Sequence, residues 1–81
     1  MKVTLYALST CPYCRMTKKY LDDCKVQYDA IDVDMLEGDE RTAVVADVKK
    51  LSGGTSFPVI VIDEEVIVGF NKVAIKERLG L

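Results

Sequence analysis

The sequence predicts an α/β domain: a four-stranded mixed sheet with helices on both faces, in the order β-α-β-α-β-β-α. Three observations lead there. Lys2 to Ala7 and Val26 to Val33 each alternate apolar and polar residues, and a segment of helical period lies between them. An unbroken apolar run, Val59-Ile60-Val61-Ile62, is followed after Asp63-Glu64-Glu65 by a second run, Val66-Ile67-Val68. Strands joined through a helix lie parallel and strands joined through a short turn lie antiparallel, so the sheet is mixed.

Taken in order, Lys2 to Ala7 is a strand with Val3, Leu5 and Ala7 on its inner side. A helix then runs from Pro12 to about Cys24, with Thr17, Leu21 and Cys24 on its apolar face. Free cysteine is among the most buried residue types, so Cys24 is expected in the core. Val26 to Val33 forms the second strand, with Asp29 and Asp32 marking a partly wet face. Met35 to Gly38 reads as a loop and Asp39 as the cap of a second helix. That helix buries Val44, Val48 and Leu51 and stops at Gly53-Gly54. Val59 to Ile62 is apolar throughout, as in a strand covered on both faces. The Asp63-Glu64-Glu65 turn lacks the glycine that tight hairpins prefer. Asn71 caps the last helix, Ile75 and Leu79 face inward, and Gly80 ends it.

The chain has 81 residues, 49% of them hydrophobic, and a net charge of -2. That is one domain, residues 1–81, able to bury about 60 to 65% of its unfolded surface. The acidic balance argues against nucleic acid as a partner. No apolar stretch approaches a membrane span, and Met1-Lys2 leads into a strand with no leader pattern, so a cytoplasmic monomer is expected. Histidine is absent, which excludes Ser-His-Asp and Cys-His catalytic groups and any Cys/His zinc finger. The three cysteines, in a reducing compartment, suggest chemistry more than a disulfide framework.

The chemistry centres on Thr10-Cys11-Pro12-Tyr13-Cys14, where a strand passes into a helix. Two cysteines with two residues between them at such a junction read as a thioredoxin-like redox pair. With Cys11 at the N-cap, Pro12 fits the first helical position, because the amide it lacks would be unpaired anyway. The Cys11 sulfur then faces the amides of Tyr13 and Cys14 and the positive end of the helix dipole, which favour thiolate. Cys14, a turn further in, is the less exposed and can attack Cys11. The same residues, read alone, would also serve as half of a zinc or iron–sulfur site, although no histidine and no second Cys-x-x-Cys accompany them.

Charge is uneven. Residues 1 to 25 carry Lys2, Arg15, Lys18, Lys19 and Lys25 against Asp22 and Asp23, whereas residues 26 to 40 carry six acids and no base. The plain reading is solvated faces. The functional one is that Arg15 and Lys18 add to stabilisation of the Cys11 thiolate and attract anionic partners.

With Cys11-Pro12-Tyr13-Cys14 after the first strand, the chain resembles the glutaredoxins and the related NrdH-type redoxins, of thioredoxin-like fold. The resemblance covers its whole length. Thr55-Ser56-Phe57-Pro58 stands where the family has Thr-Val-Pro with a cis proline, and Val68-Gly69-Phe70 where glutaredoxins have Gly-Gly and NrdH-type redoxins Ser-Gly-Phe. The resemblance implies a thiol–disulfide oxidoreductase and electron carrier acting on disulfide-containing proteins, with Cys11 as nucleophile and Cys14 resolving. It implies a substrate groove of Thr10, Pro12, Tyr13, Phe57, Pro58, Gly69, Phe70 and Asn71. No bound cofactor or metal is expected, only an external reductant, either glutathione or a thioredoxin-reductase-like flavoprotein. The alternative is a dimer holding an iron–sulfur cluster through Cys11 and external thiols; relatives of that kind usually have a small residue where Pro12 stands.

Two positions depart from the glutaredoxin pattern. The family's lysine three residues before the first cysteine is here Leu8, and the acid expected after Gly69-Phe70-Asn71 is here Lys72. Both normally meet charged ends of glutathione, so weak use of glutathione is expected. The backbone amides of Phe70 and Asn71 remain as carboxylate donors at a helix start.

Overall fold

The computed structural model describes residues 2–54 and 56–81; Thr55 lies outside them. The elements are β1 (Val3–Ala7), α1 (Pro12–Asp23), β2 (Asp29–Asp32), α2 (Gly38–Ser52), β3 (Val59–Ile62), β4 (Glu65–Val68) and α3 (Lys72–Leu79). A short 3-10 turn, Val33–Met35, follows β2. The sheet order is β2-β1-β3-β4, with β1 parallel to β2 and the other two pairs antiparallel. This is the expected mixed sheet in a thioredoxin-like fold.

Register divides the sheet into two faces. Leu5 stands opposite Ile60, and Ile60 opposite Ile67, so one face is a wall of large aliphatic side chains. Cys14 and Leu21 of α1 and Ile75 of α3 close over that wall. Val3, Ala7 and Ile62 complete this core. On the other face Thr4, Val61 and Val66 line up, as do Tyr6, Val59 and Val68. There α2 contributes Val48, its one fully buried residue, and Val68 stays 46% exposed.

Several boundaries differ from expectation. The second strand is four residues long because the end of α1 claims the residues before it. Lys25 takes a left-handed backbone, φ 58, its amide donates to the Asp22 carbonyl, and the Val26 amide donates to the Leu21 carbonyl at 3.0 Å. Those two bonds form a Schellman closure and turn the chain away before it can pair with β1. Cys24 caps this end half-buried, outside the main core. The second helix starts at Gly38 with Glu37 at its N-cap; Asp39 lies in the first turn beside the positive helix end. Leu51, expected inward, is 42% exposed, because Val48 alone reaches the sheet fully. The hairpin without glycine is solved by Asp63, at φ 53, whose amide and carboxylate bond the carbonyl and amide of Lys2, each at 2.8 Å.

Candidate functional site

The site is built at the N-terminus of α1. Cys11 is the N-cap in an extended conformation and Pro12 is the first helical residue. The Cys14 amide donates to the Cys11 sulfur at 3.4 Å. Because Pro12 has no amide and Cys11 occupies the cap, the sulfur takes the place of the capping oxygen.

The two thiols are pushed in opposite directions. The Cys14 thiol donates to the Cys11 sulfur, and the amides of Cys14 and Tyr13 add to this, so Cys11 is held below the ordinary thiol value although partial burial opposes them. Cys14 is fully buried, and its thiol is raised to about 11, first by desolvation and second by its hydrogen bond to Cys11. The Leu8 amide and the Lys18 charge favour the Cys14 thiolate, but less strongly.

The expected cations work elsewhere. Arg15 Nη2 donates to the Ser9 carbonyl at 3.3 Å, and Lys18 pairs with Asp32 at 2.8 Å, tying α1 to the end of β2. The lowering at Cys11 arises from hydrogen bonds, and Lys18 bears on Cys14 instead.

Around the sulfurs, Cys11, Phe57 and Phe70 pack half-buried against the core that contains Cys14. Phe57–Pro58 is cis, and Pro58 is fully buried. The Gly69 amide donates to the Pro58 carbonyl at 2.8 Å, which joins the start of β3 to the residue after β4. Thr10 and Pro12 are exposed, and Tyr13 is 61% exposed beside them. Asn71 is committed to the fold: its side chain accepts from the Ala74 amide, and its own amide donates to the Gly69 carbonyl at 3.1 Å. It is therefore not the free carboxylate donor expected. Among the described residues no cluster of three His, Cys, Asp or Glu side chains is placed to hold a metal.

Sequence reasoning missed Tyr20, Ser9 and Asp34. The Tyr20 ring meets Phe70 edge-on at 6.2 Å, and Lys72 Nζ lies over the same ring at 5.3 Å. These residues and Met16, Lys19 and Asp23 line an open groove of about 260 Å³ along α1. Tyr13, Met16 and Tyr20 follow helical spacing, a signal that was there to be read. Asp34 grips Ser9 from 25 residues away, and no local pattern announces it.

A family model described as Glutaredoxin matches residues 3–67. The chain belongs to the glutaredoxin family. A glutaredoxin-like 8.6 kDa protein in the rubredoxin operon of Clostridium pasteurianum is 37% identical over 79 residues, covering 95% of this chain and 96% of that one. The crystal structure of the glutaredoxin from Archaeoglobus fulgidus superposes with a TM-score of 0.93 at 38% identity, over 96% of this glutaredoxin and 85% of that chain. Methanosarcina acetivorans methanoredoxin is equally similar, with a TM-score of 0.93 and 38% identity over 99% and 85% of the two chains. As a glutaredoxin, the chain is a redox protein, and no helix among its described residues is long and apolar enough to cross a membrane.

Proposed function

We propose that this glutaredoxin is a dithiol thiol–disulfide oxidoreductase that reduces disulfides of other proteins in the cytoplasm. The observation that carries the reading is the Cys14 amide on the Cys11 sulfur, with the lowered thiol at Cys11 and the raised one at Cys14. The Cys11 thiolate attacks one sulfur of the partner's disulfide, forming a mixed disulfide and releasing the other sulfur as thiolate, which takes a proton from water. Cys14 then loses its proton to solvent and attacks the Cys11 sulfur. The mixed disulfide breaks, the partner leaves with two thiols, and the Cys11–Cys14 disulfide remains.

An external two-electron reductant closes the cycle. A thioredoxin-reductase-like flavoprotein suits this chain better than glutathione. Leu8 supplies no cation, Lys72 puts a positive charge where an acid would meet glutathione's amine, and the Asn71 amide is already used. Arg15, bonded to the Ser9 carbonyl, is poorly placed to stand in for the missing lysine.

The test is a pair of variants with a disulfide-containing protein substrate. Cys11→Ser should abolish exchange, whereas Cys14→Ser should accumulate a mixed disulfide seen by mass. A Cys14→Ser protein that turns over substrate without added thiol would overturn the dithiol assignment.

A further inference from the structure

The turn between β1 and α1 is held from several sides. The Leu8 carbonyl accepts from the Cys11 amide at 3.1 Å, and the Leu8 amide faces the Cys14 sulfur and favours its thiolate. The Ser9 carbonyl accepts from Arg15 Nη2. The other polar groups of Ser9 both go to one carboxylate: its amide donates to Asp34 Oδ1 at 2.8 Å and its hydroxyl to Asp34 Oδ2. Asp34 lies in the 3-10 turn after β2. The strand has ended at Ala7, so Ser9 has no ladder partner and this carboxylate takes the place of one.

We infer that Asp34 is a positioning residue for the resolving cysteine: by clamping Ser9 it holds Leu8 between the Cys11 amide and the Cys14 sulfur, and so sets how fast Cys14 attacks a mixed disulfide on Cys11. The inference rests on the dithiol reading. With no histidine in the chain to take the Cys14 proton, the thiolate fraction depends on the groups that surround this sulfur. Burial and Cys11 oppose ionisation; the Leu8 amide and Lys18 favour it. An N–H···S contact weakens steeply with misalignment, so a loosened Ser9 removes one of the two favourable groups. Asp34 itself faces the two Ser9 donors and, more weakly, Arg41 of α2, which keep its carboxyl below the usual range and the clamp closed at neutral pH.

Geometry and charge make opposite forecasts for Asp34→Ala. Removing a negative charge, acting through the field alone, would ease ionisation of Cys14 and speed its attack. Releasing Leu8 would slow it.

Stopped-flow reaction with 5,5′-dithiobis(2-nitrobenzoate), on a Cys24→Ser background, separates the steps. The first yellow thiolate is released when Cys11 attacks, and the second when Cys14 attacks the resulting mixed disulfide. Asp34→Ala should slow the second phase about tenfold, as expected for loss of a hydrogen bond to a charged group. It should also move the phase's pH midpoint upward while the first phase stays within about twofold. Asp34→Asn keeps an acceptor oxygen for the Ser9 amide and can bond the Ser9 hydroxyl, so it should recover most of the rate without the charge. Ser9→Ala, which removes one of the two bonds, should fall between.

A second phase unchanged or faster in Asp34→Ala overturns the proposal. So does an Asp34→Asn protein as slow as Asp34→Ala, or equal slowing of both phases. Absence of any second release from the otherwise unaltered protein would instead overturn the dithiol reading beneath it.

Discussion

The Cys14 amide donates to the Cys11 sulfur at 3.4 Å, and a second bond, from the Cys14 thiol to the same sulfur, lowers Cys11 and adds to the burial that keeps Cys14 protonated. One turn of helix separates a half-buried sulfur at the helix start from a fully buried one inside the core. Two of the influences raising Cys14, the hydrogen bond to Cys11 and the charge on Cys11, disappear once Cys11 enters a mixed disulfide. In the proposed dithiol cycle, attack by the first thiol thus releases the second.

Alkylation by iodoacetamide, followed against pH and mapped by mass, should label Cys11 first, with a midpoint below 9.0. Preferential labelling of Cys14 or Cys24 at neutral pH would contradict the assignment of nucleophile. The stability consequence has a definite sign. Cys14 titrates near 11 when folded and near 9.0 when unfolded, so above pH 9 the unfolded chain gives up a proton that the folded one keeps. Stability should therefore fall as pH rises from 9 toward 11, and urea midpoints for Cys14→Ala should show a shallower fall over that window. Cys11, depressed when folded, acts the other way: its contribution is present at alkaline pH and is lost as pH falls through its folded value.

The reductant is testable by restoring the charges that this glutaredoxin lacks. The oxidised protein should turn over slowly with glutathione and glutathione reductase, and fast with thioredoxin reductase and NADPH. Leu8→Lys and Lys72→Asp should each raise the glutathione rate about ten- to a hundredfold, since each charged contact contributes about 1.5–3 kcal/mol. Rapid turnover of the unaltered protein with glutathione alone would refute the proposed preference.

Two leucines on different helices should respond differently to truncation. Leu21 is fully buried between α1 and the sheet, and Leu21→Ala should cost about 2–5 kcal/mol. Leu51, at 42% exposure, should lose no more than about 0.5 kcal/mol as alanine. Urea denaturation compares them directly, and equal losses would mean that Leu51 is covered in solution.

The left-handed closure of α1 offers a stabilising change. Lys25 sits at φ 58 in the position where a Schellman closure favours glycine. Left-handed backbone costs a side-chain-bearing residue about 1–2 kcal/mol, and the extra freedom of unfolded glycine returns about 0.5–1 of that. Lys25→Gly should therefore gain about 0.5 kcal/mol in urea denaturation. A loss of stability would show that the lysine makes a contact worth more than the strain.

What the sequence determined by itself was local. Cys11 as N-cap, Pro12 as first helical residue, Asn71 capping α3 and glycine at the ends of α2 and α3 depend on neighbours within one helical turn, where chain geometry leaves few options. The inner and outer faces of β1 were equally legible, because a period of two is set by the pleat, and the unbroken apolar run of β3 marked a strand covered on both faces. Tertiary structure decided the rest. Whether Val26 paired as strand turned on the competing bond from its amide to the Leu21 carbonyl, and whether Leu51 was buried turned on where α2 crosses the sheet. The partners of Lys18 and Ser9 are Asp32 and Asp34, 14 and 25 residues away. A long charged side chain has many acids within reach of its sequence, and only the packed fold brings one of them to hydrogen-bond distance.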